Sequence, residues 1–91
     1  MVKVRCEPRD GSWTCEVDVE DRGESTSHTV SLTSADLARW GRGDDQAAVE
    51  DLVQRSFAFL LEREPPGSIL RRFELAVIQR YFPEYDLQLR P

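Results

Sequence analysis

Hydrophobic and polar residues alternate through the first third of the chain, a pattern typical of β-strands with one buried face. Two alternating runs are separated by Asp10-Gly11, a residue pair that favours a two-residue β-hairpin. The resulting register pairs Val2 with Val19, Val4 with Val17, Cys6 with Cys15 and Pro8 with Trp13 on one face, and Lys3 with Asp18 and Arg5 with Glu16 on the other. Because apolar residues meet apolar ones and opposite charges meet, the pattern supports this register.

A third alternating run, residues 27–32, predicts another antiparallel strand after a four-residue loop from Arg22 to Ser25. This loop places Val17 opposite Val30 and Val19 opposite His28. The three strands then form a meander with a polar outer face. Its predicted inner face consists of Val2, Val4, Cys6, Trp13, Cys15, Val17, Val19, Val30 and Leu32.

From Thr33 onwards the apolar spacing becomes helical. The segment Thr33 to Asp36 resembles a capping box, so we expect a short helix over 35–40 that ends at Gly41. A longer helix is predicted over 46–63, where its N-terminus is capped by Asp44 or Asp45. Its apolar stripe is wider than one sheet can cover, so the C-terminal segment, another subunit or both must bury the rest.

The segment 68–82 is rich in apolar residues and is predicted to form one helix or two short ones. Phe73, Val77 and Tyr81 recur at helical spacing, which indicates a core face. Residues 84–89 alternate, and we expect them to lie extended against the body.

A length of 91 residues fits one domain. The expected class is α+β, with a three-stranded antiparallel β-meander (1–32), a layer of three or four helices packed on one face (33–83) and an extended tail (84–91). No apolar run is long enough to span a membrane, and no apolar stretch typical of a signal peptide precedes the first strand. We therefore expect a cytoplasmic protein.

The net charge of −5 and the absence of a basic block disfavour nucleic acid as a partner. Arg71, Arg72 and Arg80 on the predicted C-terminal helices leave open a DNA- or RNA-binding regulator as an alternative function. Glu16, Asp18 and Glu20 could resemble paired catalytic acids. Because Lys3 and Arg5 lie opposite them, a solvated ion-pair face is the better interpretation.

Cys6 and Cys15 face each other in a non-hydrogen-bonded pair, close enough for a disulfide. Without a secretory signal, two reduced, buried thiols are the favoured interpretation and a disulfide is the alternative. A metal site with His28 is disfavoured, since the predicted register puts His28 about 13 Å along the strand from Cys15. His28 also lacks a neighbouring nucleophile, so it is predicted to be a structural residue at the rim of the core.

No nucleophile elbow, phosphate-binding loop, dinucleotide fingerprint or zinc-protease motif occurs. We therefore expect no enzyme activity and no catalytic, cofactor-binding or metal-binding residues. An enzyme with an unrecognised site remains an alternative, for which a concave pocket with convergent polar groups is the minimum requirement.

The stretch from Leu70 to Tyr85 reads R-R-F-x-L-x-V-I-x-R-Y-F-P-E-Y after its first residue and follows L-L-E-R-E-P at 60–65. It resembles small uncharacterised bacterial proteins, mainly from actinobacteria, that end in a similar segment. The resemblance implies a single small domain that stands alone, and it implies no activity, cofactor or site residue.

The third predicted strand has few charges, in contrast to the first, which carries Lys3, Arg5 and Pro8. Its edge, with Ser27, Thr29 and Ser31, is therefore the expected place for a partner strand. A homodimer through this edge or through the wide helix stripe is the favoured assembly. The sequence thus favours a small, non-catalytic interaction or regulatory protein that acts through protein–protein contacts.

Overall fold

The computed structural model, which describes residues 1–91, contains one four-stranded sheet and four α-helices. In chain order these are β1 (Val2–Arg9), β2 (Ser12–Asp21), β3 (Glu24–Thr33), α1 (Ser34–Trp40), α2 (Gln46–Leu61), β4 (Arg72–Glu74), α3 (Val77–Tyr81) and α4 (Tyr85–Leu89). The strand order is β1-β2-β3-β4. The predicted α+β class is confirmed, but the sheet is mixed and has one strand more than expected, because β4 runs parallel to β3.

The first hairpin has the predicted register, with Cys6 opposite Cys15 and Val4 opposite Val17. Asp10 and Gly11 both adopt positive φ angles, 49° and 79°. This is the conformation of a two-residue turn whose twist matches that of the flanking strands. The local turn chemistry therefore decides the register of the whole hairpin.

The second hairpin differs from the expectation by two residues. Its loop is Arg22-Gly23 alone, with φ angles of 54° and 79°, so Val17 pairs with His28 and not with Val30. A shift of two residues keeps every side chain on its predicted face, because side chains in a strand alternate with a period of two. The alternation of apolar residues could not separate these two registers.

The segment predicted as one or two helices over 68–82 forms a 3₁₀ turn over Pro66–Ser68, then β4 and α3. The amide of Thr29 donates to the carbonyl of Arg71 at 2.8 Å, and the amide of Leu75 donates to the carbonyl of Ser31 at 2.8 Å. The backbone groups at the edge of β3 thus pair with a segment whose apolar residues have helical spacing, and this segment forms a strand. Here tertiary pairing overrides the local pattern.

The tail predicted to be extended is the helix α4 instead. Asp86 anchors this helix, because its carboxylate accepts hydrogen bonds from Arg39 at 2.9 Å, from the Trp40 indole at 3.0 Å and from Arg90. The hydrogen bond from Trp40, together with those from Arg90 and Arg39, holds the pKa of Asp86 below its ordinary value. The C-terminus is therefore fixed to α1 by polar contacts that alternation along the chain cannot reveal.

The two predicted helix starts are confirmed. Thr33 and Asp36 form a reciprocal capping box at α1, which ends at Gly41. The side chain of Asp45, not Asp44, caps α2 by accepting from the amide of Ala48 at 2.9 Å. Both helices are thus fixed at their N-termini by short polar side chains.

Helix α2 packs across the sheet, and its wide apolar stripe is covered by the C-terminal segment of the same chain. The ring of Phe59 contacts the rings of Phe82 and Tyr85 edge to face, with centroids 5.9 and 5.2 Å apart. Together, strands and helices enclose one continuous core of 21 buried apolar residues. Among the helices, none is long and apolar enough to cross a bilayer.

Candidate functional site

Cys6 and Cys15 are joined by a disulfide bond, so the favoured expectation of two reduced thiols is wrong. Both side chains are buried on the inner face of the sheet beneath α2. The amide side chain of Gln46 on α2 donates to the carbonyl of Cys6 at 2.9 Å. Since both sulfurs bond to each other, neither is free to bind a metal or act as a nucleophile.

His28 lies deeper than expected, with only 2% of its surface exposed. Its Nδ1 donates to the carbonyl of Leu70 at 2.7 Å, and its Nε2 accepts from the hydroxyl of Thr26 at 2.8 Å. The ring also packs at 5.4 Å from the ring of Phe57. Both ring nitrogens are occupied, so His28 links β3 to the segment before β4 and has no free nitrogen for a substrate.

The acidic outer face is organised differently from the predicted ion pairs. Glu16 accepts hydrogen bonds from the Thr29 hydroxyl at 3.2 Å. Asp18 accepts one from the Ser27 hydroxyl at 2.8 Å. The acids of β2 thus bind hydroxyls of β3 and not the cations of β1, and the chain contains no group of three or more His, Cys, Asp or Glu residues that could hold a metal ion.

The expected partner edge at Ser27, Thr29 and Ser31 is largely occupied by the chain itself. Strand β4 pairs with β3 so that Thr29 lies opposite Arg72 and Ser31 lies opposite Glu74. A partner strand cannot use the same hydrogen-bonding groups. Both surfaces proposed for a homodimer, this edge and the α2 stripe, are therefore covered within one chain.

The three arginines of the nucleic-acid alternative do not share a helix. Arg72 lies on β4, Arg71 directly precedes it, and Arg80 lies on α3. All three are exposed. A recognition helix needs several such side chains on one face, and this arrangement does not provide it.

A concave apolar surface lies where the C-terminal end of α2, the segment leading to β4, and α3 meet. This apolar cleft encloses about 270 Å³ and is lined by Leu60, Glu64, Ser68, Ile69, Leu70, Phe73, Val77, Ile78, Tyr81 and Phe82. Two of its lining side chains are largely exposed, Leu70 at 50% and Tyr81 at 68%. The expectation that Tyr81 belongs to a buried helix face is thus wrong, because β4 interrupts the predicted helical spacing.

Glu64 is the only charged residue that lines the apolar cleft. Its neighbour Arg63 does not neutralise it, because the Arg63 guanidinium lies 3.6 Å from the ring centroid of Phe59 and pairs with Glu62 and Glu84. Partial burial among apolar side chains raises the pKa of Glu64. The cleft therefore combines an apolar wall with one carboxylate that has no salt-bridge partner.

Comparison of the chain with protein-family models, with curated proteins and with solved structures finds no match. The candidate site therefore depends on the geometry of this structure.

The sequence indicates the apolar residues of the cleft only as positions of a predicted core. One signal was present in the segment Arg72 to Leu75, where charged and apolar residues alternate as in a strand. A strand over 72–75 ends the predicted helical segment before Val77. The exposed positions of α3 then become candidates for a surface site.

Proposed function

We propose that this chain is a small, non-catalytic interaction protein that binds an apolar segment of another protein in the apolar cleft. The observation that supports the proposal is the combination of a concave surface with two exposed apolar side chains, Leu70 and Tyr81, at its lining. Covering a largely exposed side chain of this size contributes roughly 1–2 kcal/mol to binding. Concave apolar surfaces lined by few polar groups are typical of binding sites.

The shape of the cleft favours a different protein over a second copy of this chain. A symmetric dimer must place the same surface of both copies in contact, and a concave surface does not complement itself. If the two-fold axis of such a dimer passed through the cleft, Glu64 of one copy would approach Glu64 of the other without a counter-charge. A convex segment of another protein avoids both difficulties.

The composition of the cleft also favours binding over catalysis. Acid–base catalysis needs several polar groups that converge on one point. Only two of the ten lining residues, Glu64 and Ser68, are polar. The remaining surface can bury an apolar side chain but offers little to stabilise charge that develops in a reaction.

Selection from a library of random displayed peptides, with the immobilised chain as bait, tests this function. We expect binders whose affinity falls at least tenfold when Leu70→Ser and Tyr81→Ser are combined, because the apolar wall is then lost. Leu87→Ser is the matched control, since Leu87 on α4 is 74% exposed but does not line the cleft. Retention of affinity in the double variant, or equal loss in the control, contradicts the proposal.

Light scattering at micromolar concentration tests the alternative of a second copy. We expect the mass of one chain, 10.5 kDa. A particle of twice this mass that dissociates when Tyr81 is replaced by Ser would assign the cleft to a homodimer instead.

A further inference from the structure

The single carboxylate in the apolar cleft indicates what the bound segment must carry, and this inference rests on the proposed function. Glu64 lies among eight hydrophobic lining residues, and no positively charged residue lines the same surface. Arg63, the nearest cation in sequence, is held by the carbonyl of Phe59 at 2.9 Å and by Glu84 at 3.2 Å. Glu64 has no salt-bridge partner, so the stabilisation of its negative charge depends on the surrounding solvent.

Binding of a purely apolar segment would remove this solvent and leave the carboxylate unpaired. An unpaired charge in an apolar contact is strongly unfavourable. A segment with a Lys or Arg next to its apolar side chain would replace the lost solvent by a counter-charge. The net charge of −5 for the whole chain also favours approach of a basic segment over an acidic one.

The exposed arginines do not oppose this pairing from within the cleft. Arg71 lines a separate depression together with Lys3, Asp18 and Glu20. Neither Arg72 nor Arg80 lines the cleft. The immediate surroundings of Glu64 are therefore apolar and contain no positive charge.

We propose that the apolar cleft selects protein segments in which a large apolar side chain lies beside a Lys or Arg, with the apolar group against Leu70 and Tyr81 and the cation against Glu64. Glu64 acts as the specificity determinant, and the apolar wall supplies most of the affinity. The arrangement disfavours acidic segments by repulsion and neutral apolar segments by the cost of an unpaired carboxylate.

Parallel selections of random displayed peptides against the unmodified chain and against Glu64→Gln test this proposal. We expect Lys or Arg at a fixed spacing from an apolar residue in peptides selected by the unmodified chain, and no such enrichment with Glu64→Gln. Glu62→Gln is the matched control, since it removes the same charge two residues away at a side chain that is 73% exposed and outside the cleft. It should preserve the enrichment.

Two synthetic peptides separate the effect of charge pairing from an effect on folding. One is a peptide from the selection, and the other has norleucine in place of its basic residue. Glu64→Gln should lower the affinity for the basic peptide by roughly threefold to tenfold. The affinity for the norleucine peptide should stay the same or increase. The variant should unfold at the same or a slightly higher temperature than the unmodified chain, because burial disfavours the charge of Glu64.

The outcomes distinguish this inference from the proposed function. Peptides that depend on Leu70 and Tyr81 but show no basic residue would overturn the charge pairing alone. A failure to select any peptide that depends on the cleft would overturn the proposed function and this inference together.

Discussion

Reduction of the Cys6–Cys15 bond removes a covalent link between β1 and β2 without replacing any side chain. The bond closes a short loop around the Asp10-Gly11 turn. It constrains the unfolded chain mainly, because the folded hairpin already holds both strands in register by hydrogen bonds. Its loss should therefore lower the free energy of unfolding without changing the fold.

The magnitude follows from the length of the closed loop. With a sequence separation of 9, the loop-closure entropy corresponds to about 2.6 kcal/mol at 25 °C. A domain of this size has a free energy of unfolding of roughly 5–14 kcal/mol, so the bond supplies a substantial share. The melting temperature should fall by roughly 10–20 °C on reduction.

Urea unfolding of the oxidised and reduced chain, followed by circular dichroism, measures this difference. We expect the midpoint to fall by roughly 1–2 M on reduction. The double variant Cys6→Ala with Cys15→Ala should lose about 1 kcal/mol more for each buried sulfur removed, and reductant should have no further effect on it. Identical midpoints for the oxidised and reduced chain, or free thiols in the unreduced chain, would refute the reasoning.

Two further predictions concern stability. The pKa of Asp86 is lowered in the folded chain. The stability that its charge provides is therefore complete above the unfolded pKa near 4 and is lost as the pH falls through the lower folded pKa. Asp86→Asn should weaken this loss of stability in acid, measured by unfolding from pH 2 to pH 6. Gly41→Ala should destabilise the chain by about 1–3 kcal/mol in thermal unfolding, because a Cβ there would lie 2.5 Å from Cδ1 and 2.6 Å from the carbonyl oxygen of Leu37. A Gly41→Ala variant of unchanged stability would contradict the close contact.

The sequence was most informative where local chemistry decides the structure. The Asp10-Gly11 turn determined the first register correctly, and the capping box at Thr33 determined the start of α1. The second turn contains the same signal, a glycine at its second position, Gly23, but the alternation of β3 is equally compatible with a longer loop. Turn chemistry was thus a better guide than hydrophobic pattern.

The C-terminal third was predicted less well because distant contacts decide its structure. Strand β4 exists because β3 offers unpaired backbone groups, and α4 is held by the contacts of Asp86 with α1. The contacts of Asp86 leave no local signal in the sequence, and the alternation over 72–75 is too short to distinguish a strand from a helix. The apolar cleft depends on both the end of β4 and the start of α3, so it could not be predicted before that strand was known.

The oxidation of the cysteines is a third kind of difficulty. The sequence correctly placed Cys6 opposite Cys15, and a disulfide was one of the two alternatives. The absence of a secretory signal favours two thiols, but it concerns the compartment and not the geometry. Geometry was therefore the better guide at this position.

Strand β4 joins the sheet by contacts between distant parts of the chain, and the ring of His28 reaches the carbonyl of Leu70 across 42 residues. Closing such a long loop is entropically costly, and a strand of three residues forms few hydrogen bonds in return. The amides of Thr29 and Leu75, which donate across this pairing, should therefore exchange with deuterium sooner than those within β2. Because Phe73 of β4 lines the apolar cleft, a bound segment should stabilise the pairing of β4 with β3 and slow this exchange.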